Sequence, residues 1–525
     1  MEHIELVVLF LLVTVAALTA LARVLRVPYP ILLVIGGSLV GFAPGVPDVQ
    51  LEPDLVLLIF LPPLLFNAAY TSSIRELRAD LRSITLTAVG LVLLTTCSVA
   101  LVAHAAIDGL PWAAAFALGA IVSPTDPLAA TAIMRRLGVP RRITAVVEGE
   151  SLVNDGTALV AYRTAVSAAV GGSFDLLEAT GDFVVNVAGG IAVGLVAGVL
   201  LVKALERLVG DDVVGVVTSL AAGYIAYIPA EEIGVSGVLA AVVVGLIVGY
   251  RSYALSTPAS RLRGYGFWEV LVFLLNAVLF VLVGLQLPGI LSAQDRSAIE
   301  LIALGLVVSA VVVGTRLMWV NTMPYVIRAI DRRPAQVERR VGWRLRQVAG
   351  WSGLRGSVSL AAALALPHGF PERDLLIFLT LAVISATLVA QGLTLPWLIR
   401  RLGIEDDGAA EREELHARRE AATAAMEQLR RLNEEDWTRD DTVERMIGLY
   451  EFRNRRLSQR AGELERDGDE GDLDERSRAY QRMVREVLEA QRRRVIELRN
   501  EGRISDEVLH VLERELDLED QRLEI

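Results

Sequence analysis

The chain has 525 residues, 53% of them apolar, a formal net charge of −11 and a single cysteine, Cys97. Up to Arg400 the charged residues are too sparse to cover a water-soluble core of that size, which excludes an ordinary globular enzyme; one cysteine excludes an intrachain disulfide and a cysteine-rich metal cluster. Charge crowds into the stretch after Glu405, so the net value describes no single surface, and the basic clusters bear on membrane topology rather than on nucleic acid.

Thirteen apolar segments run at about 4–22, 27–43, 54–70, 83–105, 111–134, 144–169, 182–202, 212–229, 233–250, 267–287, 298–323, 346–367 and 374–398. Each is near the roughly 20 residues that cross a 30 Å hydrocarbon layer, and each must be helical, because unpaired backbone groups are too costly in lipid. The first, MEHIELVVLFLLVTVAAL, lacks a basic leader and a small-residue cleavage site and is read as a retained span. Cys97, in the fourth, is read as a small packing residue. Alternate loops hold 21 Lys and Arg, against two, Arg296 and Arg373, in the others. A missed or extra span would scramble that bias, so it supports thirteen spans with the N-terminus outside and the C-terminus cytoplasmic.

In chain order, the fifth span carries SPTDP, where Pro124 and Pro127 flank Thr125 and Asp126. Each proline removes a donor and obstructs the preceding turn, so this helix is expected to open and expose half-helix ends. Asp126 then either takes part in an ion path or caps the second half. The sixth span contains VVEGESLVNDGTALVAYR, with Glu150 and Asn154 four apart on one face and Ser151 and Asp155 on the next. Asp155 is the sharper carrier candidate: a carboxylate holds either a proton or a small hard cation, and Asn154 orients it without adding charge. Glu150 reads as a second carrier or as partner of a buried arginine, Arg355 first and Arg316 second. Arg163, two turns on, is expected to reach towards an interface. The twelfth span, with Gly350, Gly353 and Gly356 among Ser352, Ser357 and Ser359, suits either close helix packing or a second interruption crossing the fifth. The offset of seven spans between them relates segments of opposite orientation, pairing spans 1–6 with 8–13 as inverted repeats and leaving span 7 as a link.

From residue 404 to 525, charged amphipathic stretches with spaced Leu, Met, Val and Ile predict a helical cytoplasmic domain, regulatory or dimer-stabilising, interrupted at RDGDEGD. Residues 1–403 form the transmembrane domain. The fold class is therefore all-α and polytopic, with about thirteen transmembrane helices and a helical tail.

Four ordered motifs, LPPLLFNAAY (61–70), SPTDPLAAT (123–131), GESLVNDGTALV (149–160) and GLRGSVSLAAALALP (353–367), resemble those of the monovalent cation/proton antiporter-1 family of bacterial and animal sodium/proton exchangers. The resemblance implies a homodimer in the cell membrane, a core domain whose unwound fifth and twelfth helices cross, and elevator-like alternating access. It places the family's threonine–aspartate pair on Thr125 and Asp126 and its asparagine–aspartate pair on Asn154 and Asp155. Ser151 matches the nearby serine, and Asp155, Thr125 and Ser151 are the implied ligands of the transported metal ion. Glu150 and Arg355 match electrostatic core partners. Asn67 stands where some members have an acid, which removes a carboxylate role for the third span. The resulting expectation is a secondary active transporter serving pH homeostasis, without a cofactor, exchanging one Na+ or Li+ for one H+. A K+/H+ antiporter is the alternative, then a cation channel. The absence of HExxH and of a convincing serine–histidine or serine–lysine arrangement argues against an intramembrane hydrolase.

Overall fold

The computed structural model describes residues 13–22, 24, 29–42, 52–171, 176–208, 212–292, 294, 296–330, 340–406, 408–460 and 470–523. All regular structure among these residues is helical, and the chain divides into two compact units, Met1–Asp406 and Asp407–Ile525.

Among the described residues, each of the thirteen apolar segments falls on a helix or on a pair of half-helices. Among the described residues, seven helices are individually long and apolar enough to cross a membrane: the fourth, seventh to eleventh and thirteenth spans. Four shorter apolar helices, Val13–Ala22, Tyr29–Gly41, Asp54–Tyr70 and Trp112–Val122, belong to the first, second, third and fifth spans. The two remaining spans are the sixth, Arg141–Gly171, whose sequence carries the ionisable groups, and the twelfth, split into Trp343–Trp351 and Ser357–Leu364. The least apolar helices of the bundle are thus those with polar work to do. The start of the first span, with the retained-span reading of the N-terminus, lies outside the described residues, as does part of RDGDEGD.

Several helices outrun their apolar stretches. The tenth runs Pro258–Ser292, the eleventh Ala298–Ile330 and the seventh Leu176–Leu208, each continuing its backbone bonding into the flanking residues. Cys97 corrects its expectation: it is exposed on the outer face of its helix, while Thr95, Thr96, Val99 and Ala100 face inward.

Small residues set the closest helix contacts. Gly37 of the second span lies against Gly284 of the tenth, and a Cβ on either would overlap backbone of the other helix. Gly245 of the ninth likewise lies on the backbone of Phe66 in the third. Spans 2 and 10 therefore pack as spans 9 and 3 do, which is the exchange an inverted repeat with a seven-span offset requires. Such close approach adds dispersion contact where lipid offers no hydrophobic drive between helices.

In the second unit, Ala409–Leu432 packs on Asp440–Arg460, and Glu470–Asn500 on Asp506–Leu523, as two helical hairpins. Leu415, Ala422, Met426 and Leu429 form the buried stripe of the first hairpin, and Arg492 joins Asp517 at 2.7 Å in the second.

Candidate cation and proton site

The fifth span breaks where its prolines stand: one half-helix, Trp112–Val122, ends before Pro124, and the other, Leu128–Arg136, begins after Pro127. Gly138, with φ 69°, takes the left-handed conformation that closes the second half. The twelfth span opens between Trp351 and Ser357, and the two interruptions touch: Asp126 N donates to Leu354 O at 2.8 Å. The carboxylate of Asp126 lies so close to Gly356 that a Cβ there would collide with it.

Four half-helix ends meet at this crossing, and each receives the charge that its dipole favours. Asp126 accepts from Leu128 N at 3.0 Å and from Ser357 N, so one carboxylate caps the N-termini of both second halves. Arg355 Nη1 donates to Ser123 O at 2.5 Å, at the C-terminal end of the first half of the fifth span. Arg316, from the eleventh span, donates through Nε to Gly350 O and through Nη2 to Ala349 O, both at 3.1 Å, at the matching end in the twelfth. Broken helices thus replace their missing backbone partners with ionised side chains.

The same guanidinium of Arg316 forks onto both oxygens of Glu150. The ion pair of Glu150 is therefore made with Arg316 rather than Arg355, reversing the order expected from sequence. Distance along the chain gave no guide; Arg355 is held away by its bond to the carbonyl of Ser123, which Pro127 leaves without a backbone donor. Arg163 pairs with Glu231, at the end of the eighth-span helix, at 2.7 Å, and Glu231 in turn accepts from Gly237 N at 2.9 Å.

The remaining residues converge. Ser151 Oγ donates to Thr125 O, and Asn154 Nδ2 donates to Thr125 Oγ1 at 2.8 Å, so the sixth helix is tied to the exposed backbone of the fifth. Asp155, 8% exposed, makes no hydrogen bond or ion pair among the described residues. It lines a cavity of about 430 Å³ together with Thr125, Asp126, Ser151 and Asn67. Thr71, Ser72, Arg135 and Glu148 line the same cavity, so it runs from Asp155 to the arginine-rich end of the bundle. Among the described residues no cluster of three or more His, Cys, Asp or Glu could hold a metal ion. A single carboxylate with oxygens from Ser151, Thr125 and backbone suits a monovalent cation held weakly enough to leave.

Residues 9–401 match the family model described as sodium/hydrogen exchanger, transmembrane. The chain belongs to the sodium/hydrogen exchanger family. It is a multi-pass membrane protein and a secondary active transporter, not an enzyme. It is 37% identical to an uncharacterized Na+/H+ exchanger of Mycobacterium tuberculosis over 98% of this chain and 96% of that one. It is 32% identical to a sodium, potassium, lithium and rubidium/H+ antiporter of Bacillus pumilus over 83% of this chain and 67% of that one. The fold matches that of the sodium proton antiporter MjNhaP1 from Methanocaldococcus jannaschii at a TM-score of 0.61 and 18% identity, covering 77% of this chain and 99% of that one.

In this exchanger the sequence reading passed over Asn276 of the tenth span. The residue lines the cavity and buries an Oδ1 without a partner among the described residues. Its signal was present: one amide inside LVFLLNAVLFVLVG, where nothing else is polar. Ser359 Oγ, on the cavity wall, and Asn154 Oδ1 are likewise buried without a partner.

Proposed function

We propose that the membrane unit exchanges one Na+ for one H+ by electroneutral, elevator-like alternating access, with Asp155 as the group that carries either ion in turn. The observation that carries this reading is the charge count at the crossing. Three carboxylates, Asp126, Glu150 and Asp155, stand with two guanidiniums, Arg316 and Arg355. Glu150 is taken up by Arg316, while Asp126 and Arg355 serve helix ends, which leaves Asp155 as the one negative charge open to exchange.

Either a proton or a Na+ on Asp155 brings the crossing to neutrality. Both loaded forms then carry the same charge, and moving the core in either form transfers none across the membrane. With Asp155 bare, an unbalanced charge would have to traverse the bilayer, at roughly 2.5 kcal/mol or more, so the empty carrier is held back and slippage is suppressed. One pH unit across the membrane supplies roughly 1.4 kcal/mol, or about tenfold cation accumulation.

Thr125, Ser151 and Asn154 position the ion: Thr125 and Ser151 as oxygen ligands, Asn154 by holding Thr125 in place. Asp126, Glu150 and Arg355, with Arg316, keep the crossing assembled. The protein works as a homodimer in the cell membrane, its N-terminus outside and its arginine-rich face cytoplasmic, so the cavity from Asp155 faces the cytoplasm. Residues 404–525 form a regulatory or dimer-stabilising domain there. Li+ replaces Na+. Transport of K+ is the second reading, favoured by the potassium and rubidium named for the Bacillus pumilus relative.

The test is cation-dependent collapse of a pH gradient in liposomes holding the wild type or Asp155→Asn, with Na+, Li+ and K+ compared. Collapse by Na+ in the wild type, and none in a folded Asp155→Asn, is the expected result; exchange persisting in the variant defeats the carrier assignment, and collapse by K+ alone defeats the selectivity.

A further inference from the structure

A second cavity lies on the other side of the sixth helix. Its volume is about 360 Å³, and Val146, Val147 and Glu150 form one wall. Spans 4 and 11 supply apolar walls: Leu86 from the fourth, and Trp319, Met323 and Ile327 from the eleventh, the last three at intervals of four so that they make one continuous stripe. Arg328, Arg340 and Arg346 stand at its arginine-rich end.

Among the described residues, the charges around this cavity do not balance. Glu150 is occupied by Arg316, and Asp80 by Arg142 through a two-pronged contact at 2.6 and 3.1 Å. Arg346, 8% exposed, keeps only a 3.4 Å contact from Nη2 to Tyr325 Oη and the face of the Tyr325 ring, 5.2 Å from its guanidinium carbon. Its Nε and Nη1 are buried with no hydrogen-bond partner among the described residues. A buried guanidinium with two idle donors is costly, and a phosphate that accepts from it would offset part of that cost.

We propose that this cavity binds an anionic phospholipid, its phosphate at the guanidinium of Arg346 and its acyl chain along Trp319, Met323 and Ile327. The apolar stripe distinguishes this ligand from a free anion, which would leave those side chains bare. The position fits as well: the cavity sits in the membrane unit at its arginine-rich end, where a bilayer presents phosphates at the depth of the first polar residues. An occupant would touch the same helix that bears Asp155, yet none of the groups assigned to ion exchange apart from Glu150, already held by Arg316.

Binding is measured on the purified full-length protein in neutral detergent, using dioctanoyl phosphatidylglycerol, dioctanoyl phosphatidylcholine and inorganic phosphate as probes. Phosphatidylglycerol is expected to bind saturably and at least about tenfold more tightly than the other two, with about tenfold weakening in Arg346→Gln. Met323→Trp, which fills the stripe and keeps every charge, should weaken it similarly and decides the matter if Arg346→Gln does not fold. Equal binding of phosphatidylcholine would refute charge recognition, equal binding of inorganic phosphate would refute a lipid occupant, and unchanged binding in the folded variants would refute the site.

Discussion

Replacing Arg316 by methionine removes the guanidinium that joins Glu150 to the end of the broken twelfth helix. Two losses follow from the geometry. The carboxylate of Glu150 is left buried without its cation, for which about 3–5 kcal/mol is the usual cost. The carbonyls of Ala349 and Gly350 lose the donors that now reach them at 3.1 Å. An orphaned buried group costs about 1–3 kcal/mol, so the two together add about 2–6. The total, about 5–11 kcal/mol, rivals the whole stability of a typical domain, and little folded protein should be recovered. Adding Glu150→Gln to Arg316→Met discharges the carboxylate and should return the about 3–5 kcal/mol that belongs to the pair, leaving the carbonyl losses. Glu150→Gln alone should be milder than Arg316→Met, because Arg316 keeps its carbonyls and an amide oxygen to donate to. Thermal unfolding in detergent, followed by monodispersity, ranks the three variants. If Arg316→Met melts within a degree or two of the wild type, or if the double variant is no better than the single one, the pair does not hold the crossing together. The double variant also separates roles: where it folds, Na+-dependent proton exchange should persist, since Asp155 and its neighbours are untouched.

Clamping the membrane at 100 mV should leave the final Na+ distribution unchanged, whereas a cycle that moved one net charge would shift it about 50-fold, from roughly 2.3 kcal/mol per charge. Competition of both ions for Asp155 should raise the apparent KM for Na+ by up to about tenfold per pH unit as acidity increases, leaving the maximal rate at saturating Na+ little changed; a KM flat with pH would place the two ions on different groups. Gly356→Ala should abolish transport or folding, because the new methyl would occupy the space of the Asp126 carboxylate; a folded, active variant would show that the crossing can open there. Asn276→Leu, which removes an unpartnered amide from the cavity wall, should change the apparent affinity for Na+ several-fold without loss of folded protein, read from the Na+ dependence of pH-gradient collapse.

Much of this protein is determined locally and so was legible in the sequence. The spans follow from the length of apolar runs against the thickness of a bilayer, and Pro124 and Pro127 each remove a donor on either side of the polar pair Thr125 and Asp126, although Pro62 and Pro63 are carried inside the helix of the third span. The spacing of Ser151, Asn154 and Asp155 on one helix puts them within one turn of each other whatever surrounds them. Partnerships between distant helices were another matter. Glu150 had two arginines within reach of the sequence argument, and only the crossing of the fifth and twelfth spans decided for Arg316, by occupying Arg355 with the carbonyl of Ser123. Arg163 met Glu231 for the same reason: a charge takes whichever opposite charge the packing brings near, and packing depends on the backbone contacts that glycines such as Gly284 and Gly245 permit. That Asp126 caps two helices at once, that Asp155 is left without a partner at the inner end of a cavity, and that Arg346 holds idle donors beside an apolar stripe are properties of surfaces built from several spans, and no single stretch of sequence contains them.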